Sequence, residues 1–441
     1  MKKLYKILSL LLLAILFTVG AVSVFDTDDT YSESERRKLK TAPEPTFSSL
    51  LDGSFFSDFS AYFADTFPGR EGLMDINRSL NGFYYFGGLT GGSNASLILD
   101  FTSNGANQGE ALTEDIPTET ESANTEPDET EPVPEAPREP EKLGSVLLVG
   151  DSAFDVPYAN YEQIPRYTAA VNAIAETLGS SVSTYWMPVP NSAEFYTPDA
   201  YHTGSSSQQA IFDLCRENLS DSITYVDAYN ALKAHQDEYL YFRTDHHWTH
   251  LGAYYAYTAL GQAAGFTADP ISEFRQGQWD NFVGSLYTYA ANYPQAKVLK
   301  DNPDTVYYWQ PHVECFTNYY SSTALSDSMA TGTICRLDDT VSNKYLTFMG
   351  GDHPVTVVET EVDGPVILVI KESYGNPLIS WLTGHYSKII LIDPREYFAL
   401  NNDIDLAAFA REQGVSQCLI VNYPMMLGSE GYISHLSNLS R

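Results

Sequence analysis

Apolar residues fall into three regimes along the chain. Positions 7–24 form an almost unbroken uncharged apolar run behind Lys2, Lys3 and Lys6. That pattern predicts a secretory signal or an uncleaved signal anchor within 1–25, and the length of the run favours the anchor. Residues 55–86 carry apolar side chains at helical spacing, broken at Pro68 and Gly69, and predict two short helices within an N-terminal helical segment, 26–103. From Gly144 onward the pattern changes again. Val146–Val149, 181–187, 223–226, Val366–Lys371, Lys388–Ile392 and 417–421 are short continuous apolar runs that read as strands. Residues 169–178, 208–219, 228–235 and 252–264 are amphipathic and read as helices. Apolar strands separated by helices predict a largely parallel sheet covered on both faces: an α/β domain of three layers over 143–441.

One stretch has no such pattern. Residues 104–142 are rich in Pro, Thr and Glu, and 107–142 hold 12 acids against Arg138 and Lys142, a net charge of -10. Such a segment buries too little apolar surface to offset its ordering entropy, so an extended, self-repelling acidic linker is expected. It carries about a third of the chain's formal net charge of -32, and the rest is spread over the remaining residues. So large an acid excess excludes nucleic acid as the main partner, because phosphate contacts need clustered Lys and Arg. An acidic polysaccharide is disfavoured more weakly, since the linker's charge says nothing about a cleft elsewhere. With 43% hydrophobic and 13% aromatic residues, material for a large core is ample.

Four cysteines, Cys215, Cys315, Cys335 and Cys418, allow three pairings. Cys315 and Cys335 bracket a Ser- and Thr-rich loop and are the expected pair if any forms, while Cys215 and Cys418 lie in apolar runs that suit buried thiols. No CxxC spacing occurs, so neither a thiolate zinc site nor a redox motif is expected; no motif calls for a cofactor.

The densest chemistry is YFRTDHHWTH at 241–250. In an extended segment Asp245 and His247 leave the same face, and a carboxylate beside an imidazole fixes its tautomer and stabilises the imidazolium. His246 and His250, four apart, would instead suit a metal on a helix with Asp245, but a further ligand would have to come from afar and no HExxH pattern is present. Two serines compete as nucleophile. Ser152 follows the apolar run VLLVGD. Ser373 lies in VILVIKESYGNPLISW, where a strand, a sharp turn and a helix start at Asn376 (cap) and Pro377 would expose Oγ and aim backbone N–H groups at an oxyanion. No amphipathic helix starts after Ser152, so the physical pattern favours Ser373.

TDHHWT at 244–249 followed by Gly252, Ala253 and Tyr254 resembles the signature of the DHHW family, relatives of the SGNH hydrolases and of the alginate O-acetyltransferase proteins AlgX and AlgJ. The resemblance extends through ADTFPGR at 64–70, MPVPNSAEFY at 187–196, DNFVGSLY at 280–287, FMGGDHP at 348–354, VIKESYGNP at 369–377 and LIDPREY at 391–397. It implies an SGNH-hydrolase-like domain with permuted motif order, in which Asp245 orients, His247 is the base and Ser373 the nucleophile. Gly351, Asp352, Tyr374, Asn376, Arg243 and His246 are the candidates for oxyanion or substrate contact. Two departures stand out: Asp352 replaces an amide, and a carboxylate cannot donate to an oxyanion; Glu372 stands where Asp is commoner. The resemblance implies a serine-dependent O-acetyltransferase or O-acetylesterase, extracytoplasmic and held at the membrane or secreted. Its substrate would be a cell-envelope or exported polysaccharide, or another acylated glycan, and a membrane-bound O-acyltransferase would be a partner. The rival from another class is a non-catalytic glycan-binding or envelope-assembly protein, which the loss of the amide at Asp352 favours. Asp393 and Arg395 read as a structural ion pair, Trp248 as core, and Arg243 either as a substrate contact or as packing.

Overall fold

The computed structural model describes residues 139–440 apart from 327, 333 and 336–340, together with scattered positions between 31 and 66. The chain divides into two compact units, Met1–Ala95 and Ser96–Arg441. In the first, Tyr31–Ser32 pairs antiparallel with Arg37–Lys38. Phe55, Phe59, Tyr62 and Phe63 are helical, as their spacing predicts. The apolar run at 7–24 and the acidic segment up to 138 lie outside the described residues. No helix among the described residues is long and apolar enough to cross a membrane.

The second unit opens with a small antiparallel meander of β1 (Glu141–Leu143), β2 (Val146–Val149) and β3 (Ser152–Phe154). Glu141 and Lys142 therefore belong to a strand rather than to the linker's end. The elements α1 (Ile164–Leu178), β4 (Ser183–Pro188), α2 (Gln208–Asn218), β5 (Ile223–Tyr225), α3 (Ala228–Lys233) and α4 (His250–Ala264) follow. Next come β6 (Arg275–Phe282), β7 (Asp304–Gln310), β8 (Cys315–Tyr320), β9 (Ser328–Gly332), β10 (Val355–Thr360), β11 (Val366–Lys371) and β12 (Lys388–Ile392). The chain closes with α5 (Pro394–Ala399), α6 (Leu406–Gln413), β13 (Val415–Asn422) and α7 (Glu430–Asn438).

Eight strands form the main sheet, in the order β9-β8-β10-β12-β11-β13-β4-β5. From β12 to β5 every pairing is parallel, with Ile367 opposite Ile389, Leu368 opposite Cys418 and Ile420 opposite Trp186. From β12 outward through β10 and β8 to β9 the pairing is antiparallel. The expected largely parallel sheet is thus a mixed one. The parallel strands are legible because they are buried on both faces: in VILVIK of β11 only Val366 is not fully buried. Strand β8, CFTNYY, alternates buried and more exposed residues, so its sequence lacks the apolar run that marks a central strand. The run VLLV at 146–149 is a strand as predicted, yet it pairs in the separate meander, not in the main sheet.

Local signals set the helix ends. Helix α4 starts where the Thr249 hydroxyl accepts the Gly252 N–H at 3.2 Å and stops at Gly265 in the left-handed region. The core joins both faces of the sheet and includes Trp186, Trp248, Trp381, Tyr167 and Tyr257, each essentially inaccessible. Burial of each such large side chain contributes roughly 1.5–3 kcal/mol. All four cysteines are free thiols, so the expected Cys315–Cys335 bridge is not formed. Cys335 is buried with its Sγ 3.4 Å from the Trp309 carbonyl oxygen, and burial pushes the Cys315 thiol up to about 11.

Candidate active site

Strand β11 ends at Lys371, and Ser373 opens a 3-10 turn, Ser373–Leu378, at its carboxyl end. That is where ligands bind in open α/β sheets. The turn's cap is Glu372, whose side chain accepts the Tyr374 N–H at 2.9 Å. The sequence expectation of a helix cap at Asn376 and a first helical residue at Pro377 is thereby corrected: both lie inside the 3-10 turn. The cap comes four residues earlier because a buried carboxylate at 372 meets the amide two positions on.

The loop between α3 and α4 carries the partners of Ser373. Tyr241 bridges to Trp248 and the Leu240 carbonyl accepts the Thr249 N–H, closing a tight loop around residues 242–247. Asp245 Oδ1 accepts both the backbone N–H of His247 at 3.0 Å and its Nδ1 at 2.6 Å. The pair therefore meets through a side-chain-capped turn rather than along an extended segment. His247 Nε2 lies 2.8 Å from Ser373 Oγ. The three groups stand in line, carboxylate to imidazole to hydroxyl, and Asp245 and His247 are both buried. Ser152 makes no such contact; its Oγ reaches Asp151 at 3.3 Å.

Other elements hold this line in place. The Ser285 N–H donates to Asp245 Oδ2 at 2.8 Å, and the Gly284 N–H donates to Thr244 Oγ1 at 2.9 Å. A Cβ on Gly284 would lie 2.2 Å from that of Asp245, so only glycine lets the two segments approach this closely. Asp304 accepts the backbone N–H groups of Arg243 and Thr244. Tyr345 stacks on His247 with ring centroids 3.8 Å apart, and its hydroxyl donates to the Ser373 carbonyl at 2.8 Å. Trp248 is core as expected, its Nε1 donating to the Tyr374 carbonyl at 2.9 Å.

The electrostatics favour a charged Asp245 beside His247. Burial pushes its carboxyl up, but the imidazole beside it and the Ser285 N–H outweigh that and hold it well below the usual carboxylate range. Burial pulls His246 down to about 3, with His247 adding to the shift, so this ring is neutral. Burial pushes Glu372 up to about 7 against the pull of Arg395.

The remaining candidates bond to other groups of the protein. Asp352 binds Lys371 Nζ at 2.7 Å and Arg395 Nη2 at 2.8 Å. Burial raises its pKa, yet the two cations hold it well below the usual range. With Asp393, which bonds Arg395 at 2.7 Å, it completes a buried cluster of two acids and two bases. Asn376 donates its amide to Asp352 at 2.9 Å, and the Gly351 N–H donates to the Phe348 carbonyl within its own turn at 3.2 Å. Tyr374 is buried; its hydroxyl donates to the His246 carbonyl and its N–H to Glu372. Arg243 is committed to Asp304, Asp151 and the Pro303 carbonyl, so the protein, not a substrate, occupies its guanidinium. His246 Nδ1 lies 2.6 Å from Ser285 Oγ. His250 engages Ser380 and the Trp309 N–H with its two ring nitrogens, which removes it from any metal pairing with His246. Sequence reasoning missed Tyr345, Lys371 and Ser285. A lysine ending the run VILVIK was the available signal for the buried ion cluster; Tyr345 had none. It also missed Asp155, which accepts the Asn191 amide at 2.9 Å and is pushed up to about 8 by burial, with Asp245 adding.

Fold and site together define an α/β protein with serine, imidazole and carboxylate aligned at the carboxyl edge of a parallel sheet. The chain belongs to the DHHW family: the DHHW protein profile matches residues 35–90 and 116–392. Among solved structures, a DHHW family protein from Eubacterium siraeum DSM 15702 aligns with TM-score 0.62 and 27% identity over 68% of this chain and 98% of the other. Bacillus cereus PatB1 with a sulfonyl adduct aligns with TM-score 0.52 and 15% identity, covering 65% and 98%. The O-acetyltransferase domain of Pseudomonas putida AlgJ aligns with TM-score 0.38 and 17% identity, covering 67% and 97%. No curated protein matches.

Proposed function

We propose that the chain is a serine-dependent O-acyl, in the first place O-acetyl, transferase or esterase acting outside the cytoplasm on a cell-envelope or exported polysaccharide. One observation carries the reading: the continuous hydrogen-bonded line from Asp245 Oδ1 through His247 to Ser373 Oγ. Ser373 Oγ attacks the acyl carbonyl carbon while His247 Nε2 takes its proton, and Asp245 stabilises the imidazolium. Collapse of the tetrahedral intermediate breaks the bond to the leaving alcohol, which receives that proton from His247. The acyl group, now an ester of Ser373, passes to water or to a sugar hydroxyl that His247 deprotonates in turn. The sulfonyl adduct in the PatB1 structure is of the kind an activated nucleophile forms, which agrees with this reading of the fold. The apolar run at 7–24 supports work at a membrane, where a membrane-bound O-acyltransferase would supply acyl groups.

One observation favours the rival, a glycan-binding protein on the same fold. Asp352 and Asn376 bind each other and the Tyr374 N–H is held by Glu372, so few donors are left for an oxyanion. Acetyl release from p-nitrophenyl acetate by the purified chain decides between the two. Turnover lost in Ser373→Ala supports the enzyme; inert wild type that still retains glycan supports the rival.

A further inference from the structure

A second cluster of ligating side chains lies on two segments outside the serine site. Asp269 follows α4, Glu273 ends the 3-10 turn Ile271–Glu273, and His312 sits in the turn between β7 and β8. One ligand atom from each lies within 4.8 Å of the other two. Asp269 Oδ2 is shielded from solvent and accepts no hydrogen bond among the described residues, although His312 Nε2 and His385 Nε2 each stand 3.5 Å away. That spacing is too long for a good hydrogen bond. For Asp269 and His312 it matches the edge of a tetrahedron of donors around a zinc ion, about 3.4 Å for bonds of roughly 2.1 Å.

The surroundings hold the donors in place. The Asp269 N–H donates to Tyr257 Oη at 2.7 Å and its carbonyl accepts from Tyr254 Oη at 3.3 Å. Because the Tyr257 oxygen accepts from Asp269, its own proton goes to His385 Nε2 at 2.5 Å. His385 is thereby committed as an outer support and not as a ligand. Phe274 packs edge-on against the His312 ring with centroids 4.6 Å apart. A Cβ on Gly384 would fall 2.3 Å from Asp269 Oδ2 and 3.1 Å from His312 Cε1, so glycine there leaves the cluster its room.

We infer that Asp269, Glu273 and His312 bind a divalent transition cation, zinc foremost, which clips the segment after α4 to the β7–β8 turn. One imidazole and two carboxylates suit a borderline cation, and the two carboxylates balance its charge. The fourth position is left to water.

The test is zinc titration of the purified full-length chain by calorimetry, with cobalt absorption reporting the coordination. Wild type is expected to take up one equivalent at this site and to gain a few degrees in Tm at about 100 μM zinc, since a ligand that binds only the folded chain stabilises it. His312→Ala and Glu273→Gln, both at exposed positions where circular dichroism will verify folding, are expected to weaken that binding at least about tenfold and to abolish the Tm gain. Absence of zinc binding by the wild type, or zinc binding unchanged in His312→Ala, overturns the inference; the second outcome would move the ion elsewhere, for instance to the Asp245–His247 loop.

Discussion

Ser152 and Ser373 each follow an apolar run of hydrophobic strand residues and a short turn, yet the fold treats them differently. Ser152 opens the last strand of a three-stranded antiparallel meander, and its hydroxyl meets only the neighbouring Asp151 among the described residues. Ser373 leaves the carboxyl end of a strand flanked on both sides by parallel neighbours, and its hydroxyl meets His247. The difference shows that an apolar run before a serine is not the determinant. What matters is that parallel strands end together, so that loops from distant parts of the chain converge above one edge and supply the partners. The α3–α4 loop brings Asp245 and His247 to that edge, and the segment after Asn343 brings Tyr345.

The contrast can be broken most directly by substituting each serine. Ser373→Ala is expected to reduce acetyl release by at least about 10⁴-fold, while Ser152→Ala leaves it within twofold in the same assay. The reverse result would transfer the nucleophile's role to the meander. Next in size is the ion cluster beneath Ser373. Asp352→Asn leaves Lys371 and Arg395 facing one carboxylate in a buried setting, and a loss of about 3–5 kcal/mol is expected in urea unfolding. Equal stability of variant and wild type would mean that the cluster does not support the platform on which Ser373 stands.

Gly284→Ala tests how closely the loop carrying Asp245 must be held. The added Cβ overlaps Asp245, so a displaced carboxylate is expected, with kcat falling on the order of 10²-fold and KM changing little. Unchanged kcat would show that the 280–287 segment yields without consequence.

An effect of similar size concerns pH. Glu372 is raised by burial to about 7 in the folded chain from 4.5. A carboxyl raised on folding binds more protons in the native state, so its contribution to stability is full below about 4.5 and is lost as pH rises through about 7. Glu372→Gln is therefore expected to flatten the stability profile between these limits, by up to roughly 3 kcal/mol across the window. A profile in Glu372→Gln that keeps the wild-type slope would assign it to another group. Ser373 Oγ also lies 3.4 Å from Glu372 Oε2, so the same substitution is expected to remove an inflection near pH 7 from the activity profile.

Much of the parallel half of the sheet was readable because Val, Ile and Leu runs buried on both faces leave no polar interruptions; β11 and β12 carry the bounds their sequences predict. The antiparallel half was not readable, because β8 needs apolar residues on one face only. The motif at 244–249 announced a carboxylate and an imidazole two residues apart, but the turn that joins them depends on Asp245 Oδ1 capping the His247 amide, which residue spacing does not reveal. The expectation of Asp352 as an impaired oxyanion donor followed from its chemistry alone. Its actual partners, Lys371 and Arg395, come from positions 19 and 43 residues further along the chain.

By itself, the sequence determined residue chemistry and local pattern: which runs become buried strands, that a helix runs through 252–264, and that Asp245 and His247 stand two apart with Ser373 and Ser152 as candidate nucleophiles. The tertiary structure decided which serine meets the imidazole, that Arg243 and Asp352 are satisfied by the protein itself, and that Asp269, Glu273 and His312 come together. The physical reason is range. Burial pattern and capping act over a few residues and leave a periodic trace, whereas hydrogen bonds and ion pairs join residues more than a hundred positions apart, as His247 and Ser373 are, and leave none.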